Sequence, residues 1–106
     1  MRVSREGNLV TLINVFETKP EQQQELIEQW IRFVESVKGE PGMIGAALHR
    51  STDGTHVVNY AQWRSKEDFE RFVKKYHEQM EARRPLAQRV DPHLYEVVYL
   101  FERRGS

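Results

Sequence analysis

The chain has 106 residues, 39% apolar and 30% charged, which suits one domain with a modest core and a well-solvated surface. Lysine plus arginine is 16 and aspartate plus glutamate is 16, so no excess charge points to nucleic acid or to an acidic membrane surface. There is no cysteine, which excludes disulfides, thiol catalysis and thiolate metal sites. Met1 to Asn8 is polar and does not read as a signal peptide, and no apolar run reaches bilayer length. The default expectation is a cytoplasmic protein.

Asn8 to Phe16 is rich in β-branched residues and lies between Gly7 and Lys19-Pro20, which predicts strand one. Thr18-Lys19-Pro20-Glu21 has the form of a capping box with proline at the first helical turn. Behind it Leu26, Ile27, Trp30, Ile31, Phe33, Val34 and Val37 recur at helical spacing, so helix one spans about Pro20 to Val37 and stops at Gly39. Met43 to Arg50 is the second strand and Thr55 to Arg64 the third. Ser51-Thr52-Asp53-Gly54 turns between them, with Gly54 suited to a left-handed bulge position. Ser65-Lys66-Glu67-Asp68 caps helix two, which buries Phe69, Phe72, Tyr76 and Met80 and ends at Arg83-Arg84-Pro85. The stretch to Val90 reads as a loop or broken helical turn. Asp91-Pro92 opens the last strand, His93 to Glu102, and a polar tail from Arg103 to Ser106 is expected to fray.

This order is β-α-β-β-α-β. Right-handed crossovers convert it into an α+β ferredoxin-like fold, a four-stranded antiparallel sheet with two helices on one face. Residues 1–106 form a single domain with its core over about 8–102. The strands are apolar on both faces: Val10, Leu12 and Phe16 alternate with Leu9, Ile13 and Val15, and Tyr95, Val97, Tyr99 and Phe101 with Leu94, Val98 and Leu100. Helices cover only one face, so the other calls for a second sheet, most simply that of a second copy in a dimeric α+β barrel.

Asn59, Ala61 and Trp63 share one face of strand three, and Asn14 shares the corresponding face of strand one with Leu12 and Phe16. If that face meets the helices, two amides and an indole N–H are interior groups without an evident side-chain partner, at about 1–3 kcal/mol each when unpaired. A one-residue bulge at Gly54 sets Ala47 opposite Asn59 and Gly45 opposite Ala61, leaving space under the helices. Phe69, Phe72 and Tyr76 then form the far wall of an apolar pocket with a few polar groups. Each feature taken singly is also explained as plain core; their convergence on one face is what suggests a site. The four histidines, His49, His56, His77 and His93, lack companion carboxylates at metal-ligand spacing, and His77 is expected to face outward. No phosphate-binding loop, zinc-protease helix or serine-hydrolase elbow is present.

The run Ser51 to Ser65, STDGTHVVNYAQWRS, resembles the antibiotic-biosynthesis monooxygenase family, closest to its aromatic-polyketide branch. EPGMIGAALHRS before it and DPHLYEVV after it fit as well, and the similarity runs from about Leu9 to Phe101. The resemblance implies a ferredoxin-like homodimer joined through its sheet faces, with a pocket between sheet and helices in each subunit. It implies oxidation of an aromatic, anthrone-type phenol to a quinone by O₂, without metal, flavin or haem. Asn59 and Trp63 match the family's catalytic asparagine and tryptophan. Asn14 would orient substrate, and Phe69, Phe72 and Tyr76 would bind it. Phe69 stands where the polyketide enzymes carry a tyrosine, Tyr76 is the candidate to replace that hydroxyl, and Arg83 or Arg84 stands near the family's arginine. The alternative is a non-catalytic small-molecule-binding or stress-response dimer. Haem degradation ranks below both: Asn14 fits that branch, but Phe72 stands at its tryptophan position and no histidine falls at the iron-ligand position.

Overall fold

A computed structural model describes residues 2–3 and 9–103. The proposed start of strand one at Asn8 and the proposed fraying of residues 104–106 lie outside the described residues. The order is β1 (Val10–Glu17), α1 (Pro20–Val37), β2 (Met43–Arg50), β3 (His56–Trp63), α2 (Lys66–Lys75), α3 (His77–Glu81), a 3-10 turn (Arg84–Leu86) and β4 (Arg89–Tyr95). The strands form one antiparallel sheet in the order β2-β3-β1-β4, the ferredoxin-like arrangement that the sequence implies. Among the described residues, no helix is long and apolar enough to cross a membrane.

α1 starts at Pro20, whose missing N–H falls where a helix has no acceptor for it. The expected capping box does not form. Thr18 is buried, and its hydroxyl donates instead to the Leu86 carbonyl at 2.7 Å, tying the end of β1 to the 3-10 turn. α2 is capped as expected: Ser65 Oγ accepts from the Asp68 N–H at 3.1 Å and donates to Asp68 Oδ2 at 3.0 Å. Gly42 holds this corner at φ +88°, where a Cβ would meet the Asp68 Cβ at 2.4 Å. Only glycine lets the β2 entry pass so close to the first turn of α2. The single second helix expected to run on to Arg83 is instead divided at Tyr76, where φ is −110° and ψ 18°, and α3 follows.

Two strand expectations are corrected. The last strand begins at Arg89 and ends at Tyr95, rather than spanning His93 to Glu102. Its register explains this. Arg89 pairs with Glu17 and Tyr95 with Thr11, so the antiparallel run has used nearly all of β1 by Tyr95. Among the described residues no strand pairs with the alternating residues beyond, and Val98, Tyr99 and Phe101 are 75%, 75% and 71% exposed. Pro92, opposite Asn14, is tolerated because β4 is an edge strand.

The second correction concerns β2. Gly54 does take a left-handed conformation, φ +82°, but the register places Leu48 opposite Asn59 and Ala46 opposite Ala61. The irregularity falls between Met43 and Gly45, at the far end of the strand. A one-residue slip exchanges the faces, so Ala46 rather than Gly45 or Ala47 faces the helices.

The core lies between the sheet and the helices and is centred on Leu26, Trp30, Phe33, Val57, Trp63 and Phe72. On the outer face Ile13, Val15, Val58 and Tyr60 are half-buried. At one edge of that face Gln62 Nε2 donates to the Arg2 carbonyl at 2.6 Å, and Arg2 pairs with Glu102 at 2.9 Å.

Candidate active site

A cavity of about 330 Å³ lies between the inner face of the sheet and the helices. Its floor comes from β1 and β3, where Leu12, Asn14, Asn59, Ala61 and Trp63 point the same way by strand alternation. α1 contributes Trp30, Phe33 and Val34. α2 contributes Phe69 and Phe72, and the mouth carries His77, Glu81, Arg83 and Arg84. His77 is exposed, as expected of an outward side chain, and also borders the cavity.

The polar groups inside are few. Asn14 and Asn59 are 8% and 6% exposed and stand directly opposite each other in the β1–β3 pair. The Oδ1 atoms of both are buried without a hydrogen-bond partner, as are the Nε1 atoms of Trp63 and Trp30. In most folded proteins such groups are paired. All four atoms belong to residues that line this one apolar cavity. A carboxamide offers both acceptor and donor, and its two ends are interchangeable by a half-turn. The indoles offer donors only.

Aromatic rings fix these groups. Trp63 sits 4.9 Å from Phe72 and 5.6 Å edge-on from Phe69. Trp30 sits 5.0 Å from Phe16 and 5.3 Å from Phe33. Such contacts hold the rings in place beyond what burial alone provides. Arg83 lies over the Phe33 ring at 4.9 Å, and its Nε donates to the Gln29 carbonyl at 3.1 Å. A second guanidinium N–H donates to the Gln79 carbonyl. Burial, and then the neighbouring Arg32, push the Arg83 pKa down.

Of the six residues singled out from the sequence, five border this cavity: Asn14, Asn59, Trp63, Phe69 and Phe72. Tyr76 does not. Its hydroxyl donates to the Glu40 carboxylate, which also receives Lys75 Nζ at 2.9 Å. The bond from Tyr76, followed by that from Lys75, lowers the Glu40 pKa, and the same bond raises that of Tyr76. Tyr76 therefore ties the end of α2 to the segment between α1 and β2, with its hydroxyl engaged by Glu40 rather than lining the cavity. Trp30 is the residue that sequence reasoning passed over. A tryptophan at a helical core position carries no signal of its own; only the missing partner for its N–H distinguishes it.

The fold and the cavity together define a ferredoxin-like α+β protein with an aromatic-lined cavity between sheet and helices. Residues 9–82 match the family model for antibiotic biosynthesis monooxygenase, and the chain belongs to that family. It is 46% identical over 68 residues to tetracenomycin-F1 monooxygenase of Streptomyces glaucescens, a stretch that covers 63% of this chain and 61% of that relative. Among solved structures, an anthrone oxidase-like protein superposes with a TM-score of 0.83 at 27% identity, over 92% of this chain and 42% of the other. A monooxygenase from the gene ActVA-Orf6 of Streptomyces coelicolor, in complex with Nanaomycin D, gives a TM-score of 0.74 at 27% identity, over 91% and 92% of the two chains. A variant of SnoaB, a cofactor-independent oxygenase from Streptomyces nogalater, shares the fold with a TM-score of 0.77 at 20% identity, over 92% of this chain and 100% of the other.

Proposed function

We propose that this protein is a monooxygenase that oxidises an anthrone-type phenol to a quinone with O₂ and no bound cofactor. The observation that carries the reading is that Asn14, Asn59 and Trp63 line an otherwise apolar cavity while the side-chain oxygens of the two asparagines and the indole N–H of Trp63 are buried without a partner. The relationship to a tetracenomycin-F1 monooxygenase supports it, as does the likeness to a monooxygenase solved with Nanaomycin D.

The chemistry follows from the substrate. Loss of a proton from the ring methylene or phenol gives an electron-rich anion. The anion passes one electron to O₂, and the resulting radical pair joins at carbon to form a peroxide. Loss of water from the peroxide leaves the quinone carbonyl, so one oxygen atom enters the product and the other leaves as water. The Trp63 and asparagine N–H groups donate hydrogen bonds where negative charge develops, first on the substrate oxygen and then on the peroxide. In a dry cavity such donors are worth more than in water. Phe69 and Phe72 exclude water and hold the ring flat. The proton taken from the substrate is matched by one taken up by the peroxide, so that water can leave; both exchange with solvent at the mouth beside His77 and Glu81.

The protein acts as a homodimer through its outer sheet face in this reading. Ile13, Val15, Val58 and Tyr60 form an apolar surface there, and Val98, Tyr99 and Phe101 lie beyond β4 and are exposed.

A second reading is a binding protein without turnover. Phe69 in place of a tyrosine favours it, because the described cavity wall then holds no phenolic hydroxyl to shuttle a proton. The deciding experiment is oxygen consumption and quinone absorbance when metal-stripped protein meets dithranol, a dihydroxylated anthrone. Uptake above the uncatalysed rate supports the monooxygenase. Ligand-dependent stabilisation without uptake supports the binder.

A further inference from the structure

Trp30 is one of only two tryptophans in the chain. It comes from the middle of α1, is 6% exposed and lines the cavity. Its Nε1 is buried and has no hydrogen-bond partner. An indole N–H has no acceptor role to fall back on, so a buried one without a partner carries the full cost of lost solvation. A phenylalanine would fill much of the same space between Phe16 and Phe33 without that cost.

The position of Trp30 relative to Trp63 gives the orphan its meaning. Trp63 lies at one end of β3 and packs on Phe69 and Phe72. Asn59 is four residues back along the strand, roughly 13 Å at 3.3 Å per residue, with Asn14 opposite it. Trp30 packs on Phe16, two residues beyond Asn14 in the same direction. The two indoles do not share a ring contact; they are linked only through Phe33 and Phe72. The lining of the cavity therefore holds Trp63 on the sheet near one end and Trp30 on α1 near the other, with a pair of carboxamides between them.

We propose that Trp30 is a second ligand-binding donor, and that its N–H holds an oxygen at the edge of the ligand remote from Trp63. The substrate class this selects is an elongated fused-ring aromatic with oxygen functions at both ends of its long axis. A ring system oxygenated at one end leaves Trp30 unpaired and is discriminated against. This rests on the reading of the cavity as an aromatic-ligand site. It does not depend on turnover, since a contact made equally in the ground and transition states changes affinity and leaves kcat alone.

The test uses anthraflavic acid, a tricyclic quinone with a hydroxyl at each end, and its analogue with one of those hydroxyls removed. Wild-type protein is expected to bind anthraflavic acid several-fold to tenfold more tightly, and Trp30→Phe to lose that preference while retaining affinity for the analogue. Because only two indole N–H resonances exist, each can be followed in wild-type protein by nitrogen-15 NMR even if the variant fails to fold. Anthraflavic acid is expected to shift both, and the analogue to shift only that of Trp63. Tight binding with the Trp30 resonance unmoved, or a Trp30→Phe variant that keeps the preference, overturns the proposal and leaves the site reading standing. Failure of both quinones to bind wild-type protein overturns the two together.

Discussion

Asn14 on β1 and Asn59 on β3 are cross-strand partners, and the side-chain oxygens of both are buried without a hydrogen bond. Two central positions of the sheet thus carry polar groups that the protein alone does not satisfy. A fold selected only for stability would place aliphatic side chains there, and in the proposed reading the ligand of the cavity above them supplies the missing partners.

Replacing Asn14 by leucine is expected to raise stability by about 1 kcal/mol, since it removes an unpaired polar group and fills space with carbon. The same change is expected to weaken dithranol binding at least several-fold. Chemical denaturation and a ligand titration on the one variant measure both. A loss of stability with unchanged binding would show that Asn14 serves the fold.

Tyr76→Phe separates the hydroxyl from the cavity. It removes the bond to Glu40 that ties α2 to the segment ahead of β2, so the thermal midpoint should fall at neutral pH. Glu40 has a lowered pKa in the folded state, so this contribution is present above the ordinary carboxylate value and fades as pH falls through the lowered one. Turnover per folded molecule should be unchanged. A selective fall in kcat would return Tyr76 to the reaction.

Asp53 is the clearest acid-sensitive group. It accepts from the Thr55 hydroxyl and N–H and from Ser51, in that order of effect, and its pKa is lowered from 3.8 to about 2. The stability it provides to the β2–β3 turn is complete above its ordinary value and is lost as pH falls from near 3.8 toward 2. Asp53→Asn should be less stable at neutral pH and show a shallower loss across that window, as followed by circular dichroism in urea at stepped pH.

Val58→Lys places a charge on the outer sheet face, away from the cavity. If that face is the dimer interface, the variant should be monomeric by native mass spectrometry at micromolar concentration while the wild type is dimeric. A monomeric wild type would remove the dimer from the account.

Much of this was legible in the residues. The β-branched run to Phe16, the helical spacing from Leu26 to Val37 and the serine cap at Ser65 each express a local rule, and the structure follows them. The same period-two reasoning placed Asn14, Asn59 and Trp63 on one face. What escaped was set by distant partners. Thr18 looked like a cap until the Leu86 carbonyl took its hydroxyl, and Tyr76 looked like a wall residue until Glu40 took its own. The strand expected to run to Glu102 ends at Tyr95, where its pairing with the described part of β1 ends. The bulge was misplaced because a glycine that permits a left-handed turn does not say where a ladder slips, and β2 slips between Met43 and Gly45. Trp30 escaped because burial of a large ring is expected on a helix, and only three-dimensional bookkeeping reveals an N–H with no partner.

The most direct test of the central claim is to follow isotope-labelled O₂ into product, with metal-stripped wild-type protein and Trp63→Phe side by side on dithranol. The account predicts one labelled oxygen atom per quinone, the second in water, and a loss of on the order of a hundredfold in rate when the Trp63 donor is removed. Quinone formed at equal rates by both proteins, or carrying no label, would contradict it.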